Sequence, residues 1–258
     1  MALLLTFVGV LGLAIGSFVN VVVHRVPIGV SVVSPPSACP RCDSHIRTRH
    51  NVPVAGWLLL RGRCADCAEP IPVRYPVVEL LTGVLFVLVT WRALQLDQLA
   101  AVPALLAFTA LGIALSGIDL ATRRLPDVLV LPAYPVLAVL LAAACAVHGD
   151  WSALVRMGLG ALALFGFFLA LALVSPRAMG FGDVKLAGVI GLVLGYFSWT
   201  TLVVGAFAGF LLGAVVGVGL MAVGSAGRKT AIPFGPFMIA GALVALWIGD
   251  AVGGFLVA

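Results

Sequence analysis

Between Lys185 and Arg228 not one residue carries a formal charge. A membrane-crossing helix needs about 20 consecutive apolar residues. This run is therefore long enough for two crossings joined by a turn, which length places near Ser198-Trp199-Thr200. Only helices or closed barrels satisfy their backbone hydrogen bonds inside lipid, so a chain built on such runs has few options. The remainder has the same character. Of its 258 residues 62% are hydrophobic and 10% charged, and the mean hydropathy is +1.20. These values exclude a soluble globular domain and predict an all-α polytopic membrane protein. About eight spans are expected, at 2–23, 76–92, 100–118, 128–147, 153–174, 184–198, 201–224 and 233–250. The first is expected to stay as a span: no Lys or Arg precedes it and no small-x-small cleavage site follows.

Basic residues set the orientation. With the loops after spans 1, 3, 5 and 7 in the cytosol, those loops hold thirteen of the fifteen Lys and Arg, and only Arg92 and Arg156 lie opposite. Both termini are then outside, in a multi-pass inner-membrane protein. The net charge of +5 is topology signal and attraction to an anionic bilayer; no nucleic-acid partner is needed, and nothing in the chain fixes an oligomeric state.

Residues 24–75 form the one sizeable polar segment. It contains Cys39-Pro40-Arg41-Cys42 and Cys64-Ala65-Asp66-Cys67. Two C-x-x-C pairs fit a four-thiolate Zn2+ site, each pair a tight knuckle. A loop this small has little core, so metal would supply much of its folding energy. Two disulfides are the alternative, but they need an oxidising compartment, and the charge bias places the loop in the cytosol; an iron–sulfur centre or a redox pair also stays open. His45 and His50 read as surface residues, and Cys145 as a packing residue in an apolar span.

The chain has only ten Asp and Glu, so an acid at the end of an apolar segment needs a reason. Asp119 closes Gly117-Ile118-Asp119, and Asp183 closes Gly180-Phe181-Gly182-Asp183. The topology puts both on the same face. Two carboxylates that meet share a proton, one acting as base on water and the other as acid toward a carbonyl. Gly180 and Gly182 permit close backbone approach. The plainer reading makes both aspartates helix caps, or partners of Arg123, Arg124 or Lys185. Asp127 follows Pro126 at a helix start, where an acid suits the dipole.

Taken together, these residues resemble the type IV prepilin peptidases, a family of intramembrane aspartyl proteases. The likeness runs in order through Gly16-Ser17-Phe18-Val19-Asn20-Val21 with Arg25-Val26-Pro27, the two C-x-x-C pairs, Arg61-Gly62-Arg63-Cys64, and Tyr75-Pro76-Val77-Val78-Glu79. It continues through Asp119 with Leu125-Pro126-Asp127, then Met179 to Leu186, and ends at Ile232-Pro233-Phe234-Gly235-Pro236. The resemblance implies that Asp119 and Asp183 are the catalytic pair, supported by Gly180, Gly182, Lys185 and Asp127. They would remove the basic leader of prepilins or pseudopilins at the cytosolic membrane face. It further implies methylation of the new N-terminus from S-adenosylmethionine, with Glu79, Asn20, Ser17, Gly16 and Arg25 nearby. No glycine-rich nucleotide fingerprint follows a strand, so methyl transfer rests on the resemblance alone. Glu79 either holds a substrate amine or pairs with Arg25 or Arg74. Residues 1–92 are expected to form the methyltransferase part and residues 100–250 the peptidase core. Two other classes explain part of the pattern: a proton-coupled transporter using the two aspartates, and a zinc-bearing membrane scaffold of a pilus or secretion machine.

Overall fold

The computed structural model describes residues 1–175, 179–224 and 232–257; Arg177, Arg228 and Lys229, three of the basic residues in the charge bias, lie outside them. The apolar runs wind into long helices: α1 (Ala2–Arg25), α3 (Arg74–Gln95), α4 (Val102–Thr122), α5 (Asp127–His148), α6 (Trp151–Val174), α7 (Phe181–Phe197), α8 (Trp199–Ala222) and α9 (Gly235–Val257), with a short α2 (Ala55–Leu59) in the polar loop. Among the described residues there is no strand, only the isolated pairings Ala38 with His45 and Arg63 with Pro70.

Six helices are long and apolar enough to cross a membrane, the first being Ala2–Ile28 and the others α3, α4 (from Leu99), α5, α6 and α8. Six of the eight expected spans are thus met by length and composition among the described residues. The α7 helix has 17 residues, roughly 26 Å of rise against a hydrocarbon core of about 30 Å, while α9 runs for 23 residues.

The chain divides into two compact units, Met1–Trp91 and Arg92–Ala258. In the first, α1 and α3 meet through glycine. A Cβ on Gly12 would lie 2.7 Å from the Gly83 Cα, and one on Gly16 2.6 Å from the Glu79 Cα. Such contacts let backbones approach where lipid offers no hydrophobic drive between helices. The polar loop is pinned by Trp57, whose indole N–H donates to the Ile71 carbonyl at 3.0 Å.

In the second unit α7 is the core. Val184 and every residue from Leu186 to Tyr196 are buried, as expected of a helix that is apolar all round. It packs on α6 with no room for side chains at the crossing: a Cβ on Gly160 would meet the Gly191 carbonyl at 2.7 Å. Arg156 of α6 donates to the Gly195 carbonyl at 2.7 Å, placing a cation at the negative end of α7. The turn between α7 and α8 falls at Ser198, whose hydroxyl accepts from the Thr201 N–H at 2.9 Å, so the boundary drawn on length has a capping residue. Asp150 caps α6 in the same way. Cys145 is buried, as expected.

Candidate active site

Asp119 lies one turn before the end of α4, since Arg123 takes a left-handed conformation (φ 54°) and closes the helix there. The residue is buried, 5% exposed. Its Oδ2 accepts the Gly235 N–H at 3.0 Å from the first residue of α9. Asp183 lies in the first turn of α7. Its Oδ2 accepts the Gly180 N–H at 3.1 Å, and its own N–H donates back to the Gly180 carbonyl, a reciprocal cap that fixes the turn.

Leu125, in the four-residue link from α4 to α5, brings these parts to one place. A Cβ on Gly182 would lie 2.9 Å from the Leu125 Cβ, and one on Gly235 3.3 Å from its Cδ2. The Leu125 side chain thus touches the backbone beside Asp183 and the backbone that holds Asp119. Among the described residues neither aspartate has an ion-pair partner, so the plainer reading through Arg123, Arg124 or Lys185 is not what the fold builds. Lys185 turns instead to Asp127, meeting both carboxylate oxygens at 2.7 and 2.8 Å, and lies 4.9 Å over the Phe181 ring. The Tyr134 hydroxyl of α5 donates to the Lys185 carbonyl at 2.6 Å. Asp127 and Tyr134 therefore tie α5 to the first turn of α7, just beyond Asp183. The two carboxylates without a cation partner thus belong to helix ends whose surroundings both meet Leu125, and one of them, Asp119, is buried.

The four thiols of Cys39, Cys42, Cys64 and Cys67 gather with all sulfurs within 4.8 Å of one another. All four cysteines are free, and the Cys39 and Cys67 sulfurs are 3.7 Å apart. A tetrahedral zinc with bonds of about 2.3 Å puts its sulfurs about 3.8 Å apart, so the cluster fits the ion. The two knuckles repeat one geometry: Asp43 and Ala68, each following the second cysteine of its pair, both have positive φ (55° and 60°). Arg41 with Glu69 at 3.5 Å and Arg47 with Asp66 at 2.7 Å join knuckle to knuckle. Hydrogen bonds to Ser44 hold the Cys42 thiol down to about 7. At Cys67 a bond from the Glu69 backbone favours the thiolate, but desolvation and the three neighbouring sulfurs outweigh it and push the thiol up to about 12. Crowded sulfurs that compete over their protons are a ready site for a cation. His45 and His50 stay out of the cluster.

Glu79 is buried, 8% exposed. Its Oε2 accepts the Val54 N–H at 2.7 Å, so of the two roles read for it, the pairing with Arg25 or Arg74 gives way to a backbone donor from the polar loop. Arg25 donates to the Ser31 carbonyl, and Arg74 lies over the Tyr75 ring. Asn20 donates to the Tyr75 carbonyl at 3.1 Å, joining α1 to α3. Gly16 sits against Glu79 and Thr82, and Ser17 is half-buried on α1. The sequence pattern did not reveal the Gly235 amide on Asp119, nor the Tyr134 hydroxyl on α7. The Ile232–Pro236 signature was the one signal pointing toward the former.

Long apolar helices, two of which end near carboxylates with no cation partner among the described residues, define a polytopic helical membrane protein. Residues 10–93 match the bacterial peptidase A24 N-terminal domain, and residues 105–218 match the type IV leader peptidase family. A prepilin leader peptidase/N-methyltransferase of Aeromonas hydrophila is 37% identical, over 93% of this chain and 89% of the relative. Proteins of the same name are 35% identical in Pseudomonas putida, over 97% and 93%, and in Burkholderia pseudomallei strain K96243, over 95% and 85%. No solved structure matches. The chain belongs to the type IV leader peptidase family.

Proposed function

We propose that the protein removes the leader peptides of type IV prepilins or pseudopilins as an aspartyl endopeptidase, with Asp119 and Asp183 as the catalytic pair. The observation that carries this reading is that the backbone beside Asp183 and the backbone that holds Asp119 both meet Leu125, each carboxylate being held by a backbone N–H and neither neutralised by a cation among the described residues. One carboxylate takes a proton from water while the other gives its proton to the scissile carbonyl oxygen. Collapse of the tetrahedral intermediate returns a proton to the leaving amine. Gly182 lets Leu125 pack against the backbone beside Asp183, Gly180 supplies the amide that holds Asp183, and Asp127 with Lys185 steadies that turn. The family assignment favours this reading over a transporter or a scaffold.

The basic-residue bias supports a cytosolic face for both aspartates and the cysteine loop, with both termini outside. Residues 1–92 form the methyl-transfer part and residues 100–250 the peptidase core. Zinc on Cys39, Cys42, Cys64 and Cys67 ties the loop into one fold. S-adenosylmethionine is the methyl-donating co-substrate for the new α-amine. Glu79, with Asn20, Ser17, Gly16 and Arg25 near it, marks where that amine is received, the Val54 amide fixing one Glu79 oxygen and leaving the other for the substrate.

The test is cleavage of a model prepilin by the detergent-purified protein beside Asp119→Asn and Asp183→Asn, read by mass spectrometry of the mature N-terminus with and without S-adenosylmethionine. Cleavage lost in both variants, and one methyl group gained by the wild-type product, is the expected result. Cleavage by either variant refutes the pair; cleavage without methylation refutes the second activity.

A further inference from the structure

Among the described residues the Asp119 carboxylate makes one hydrogen bond, and its donor is 116 residues away in the C-terminal signature that the proposed chemistry leaves without a role. Gly235 opens α9. The first N–H groups of a helix have no acceptor within it, and they form its positive end. The residue after Gly235 is Pro236, which has no N–H, and the next two amides, of Phe237 and Met238, both turn back to the Phe234 carbonyl. The Gly235 amide is thus the one in this turn aimed at the carboxylate. Its place is set from both sides. Phe234 packs on Phe210 of α8 (ring centroids 5.2 Å) and on Phe168 of α6 (6.3 Å). On the other side a Cβ at residue 235 would lie 2.9 Å from the Asp119 Oδ2 and 3.3 Å from the Leu125 Cδ2. A residue with any side chain would push against the oxygen that its amide must hold.

From this geometry we infer that Gly235 is a positioning residue of the catalytic pair: its N–H fixes one oxygen of Asp119 and leaves the other for water or for Asp183, and the aromatic cluster of Phe168, Phe210 and Phe234 holds that amide in place. The inference rests on Asp119 and Asp183 being the catalytic pair. Gly235 touches no substrate. It acts through Asp119, by keeping the carboxylate plane in one orientation. The effect therefore belongs to turnover and not to peptide binding.

The experiment measures kcat and KM for prepilin cleavage in four variants beside the wild type. Replacing the residue-235 amide by an ester removes the N–H and adds no atoms beyond the backbone. Gly235→Ala keeps the N–H and adds the Cβ. Leu125→Ala alone, and Leu125→Ala with Gly235→Ala, separate contact with Asp119 from contact with Leu125. Loss of one hydrogen bond to a charged acceptor corresponds to roughly ten- to hundred-fold, so the ester is expected to lower kcat by that factor with KM unchanged. Gly235→Ala is expected to lose at least as much, and Leu125→Ala is expected not to restore it. A wild-type kcat in the ester protein overturns the inference. A loss that falls on KM, or one that Leu125→Ala repairs, overturns it as well. Asp119→Asn is run alongside: if that variant still cleaves, the catalytic pair itself is refuted, which is a separate result from a silent ester.

Discussion

Gly188, in the buried middle of α7, is paired with one oxygen atom of α5. The Tyr134 hydroxyl donates to the Lys185 carbonyl at 2.6 Å and occupies the space where a residue-188 side chain would stand; the ring Cζ and Cε1 would lie 3.0 and 3.3 Å from a Cβ there. Gly188→Ala gains about 1 kcal/mol of helix propensity. It loses the hydroxyl's bond, about 1 kcal/mol, and overpacks the α5–α7 contact at a cost of about 1–3 kcal/mol. The net is a destabilisation of about 1–3 kcal/mol. Tyr134→Phe removes the hydroxyl alone and is expected to cost about 1 kcal/mol. In the Tyr134→Phe background the atom that blocked the methyl is gone, so Gly188→Ala becomes cheaper by about 1–2 kcal/mol, a coupling that a double-mutant cycle reads directly. The assay is unfolding of the detergent-solubilised proteins followed by tryptophan fluorescence. If Gly188→Ala costs the same in the wild type and in the Tyr134→Phe background, the hydroxyl does not fill that space and the reasoning fails.

Three further outcomes are expected. Cys39→Ser should release zinc, measured by elemental analysis of the purified protein, and should impair methylation more than cleavage; unchanged metal content would refute the four-thiolate site. Zinc uptake by metal-stripped protein, followed by a chromogenic chelator, should weaken steadily as pH falls. Protons compete for every thiolate, at Cys67 already far above neutrality and at Cys42 below about 7; uptake that does not change with pH counts against this. Lys185→Met removes the ammonium that lies over Phe181 and with it the partner of a largely exposed Asp127. It should cost no more than about 1 kcal/mol of stability while lowering kcat, and exchanging the charges (Asp127→Lys with Lys185→Asp) should recover part of kcat. Equal loss in the exchanged protein would show that the pair does not steady Asp183.

Much of the site was legible because its chemistry is rare in this composition. An acid ending an apolar run, or four cysteines in two short pairs, stands out against lipid-compatible residues. Helix ends were read less well. The third span was drawn to residue 118 and the sixth from residue 184, whereas α4 runs on to Thr122 and α7 starts at Phe181. Both aspartates are therefore inside helical turns. The causes are a left-handed Arg123 and a cap built on the glycine backbone of residue 180, neither of which hydropathy records. Backbone donors were invisible for a similar reason. The Gly235 amide on Asp119 and the Val54 amide on Glu79 depend on where the chain returns, and every residue except proline has such a group to offer. An arginine partner was one of the two roles read for Glu79, because charge is what a sequence displays. The fold satisfied it with an N–H from the loop.

The carboxylate of Asp119 and the amide that orients it are separated by almost half of the chain. During synthesis the two acids enter the bilayer well before α9 leaves the ribosome. Until α9 arrives, a growing chain carries both acids and lacks the amide that aligns one of them. A copy that stops short of α9 is then expected to cut roughly ten- to hundred-fold more slowly at the least, the factor that goes with that one hydrogen bond. Enzymatic activity is in this sense a report that insertion has finished.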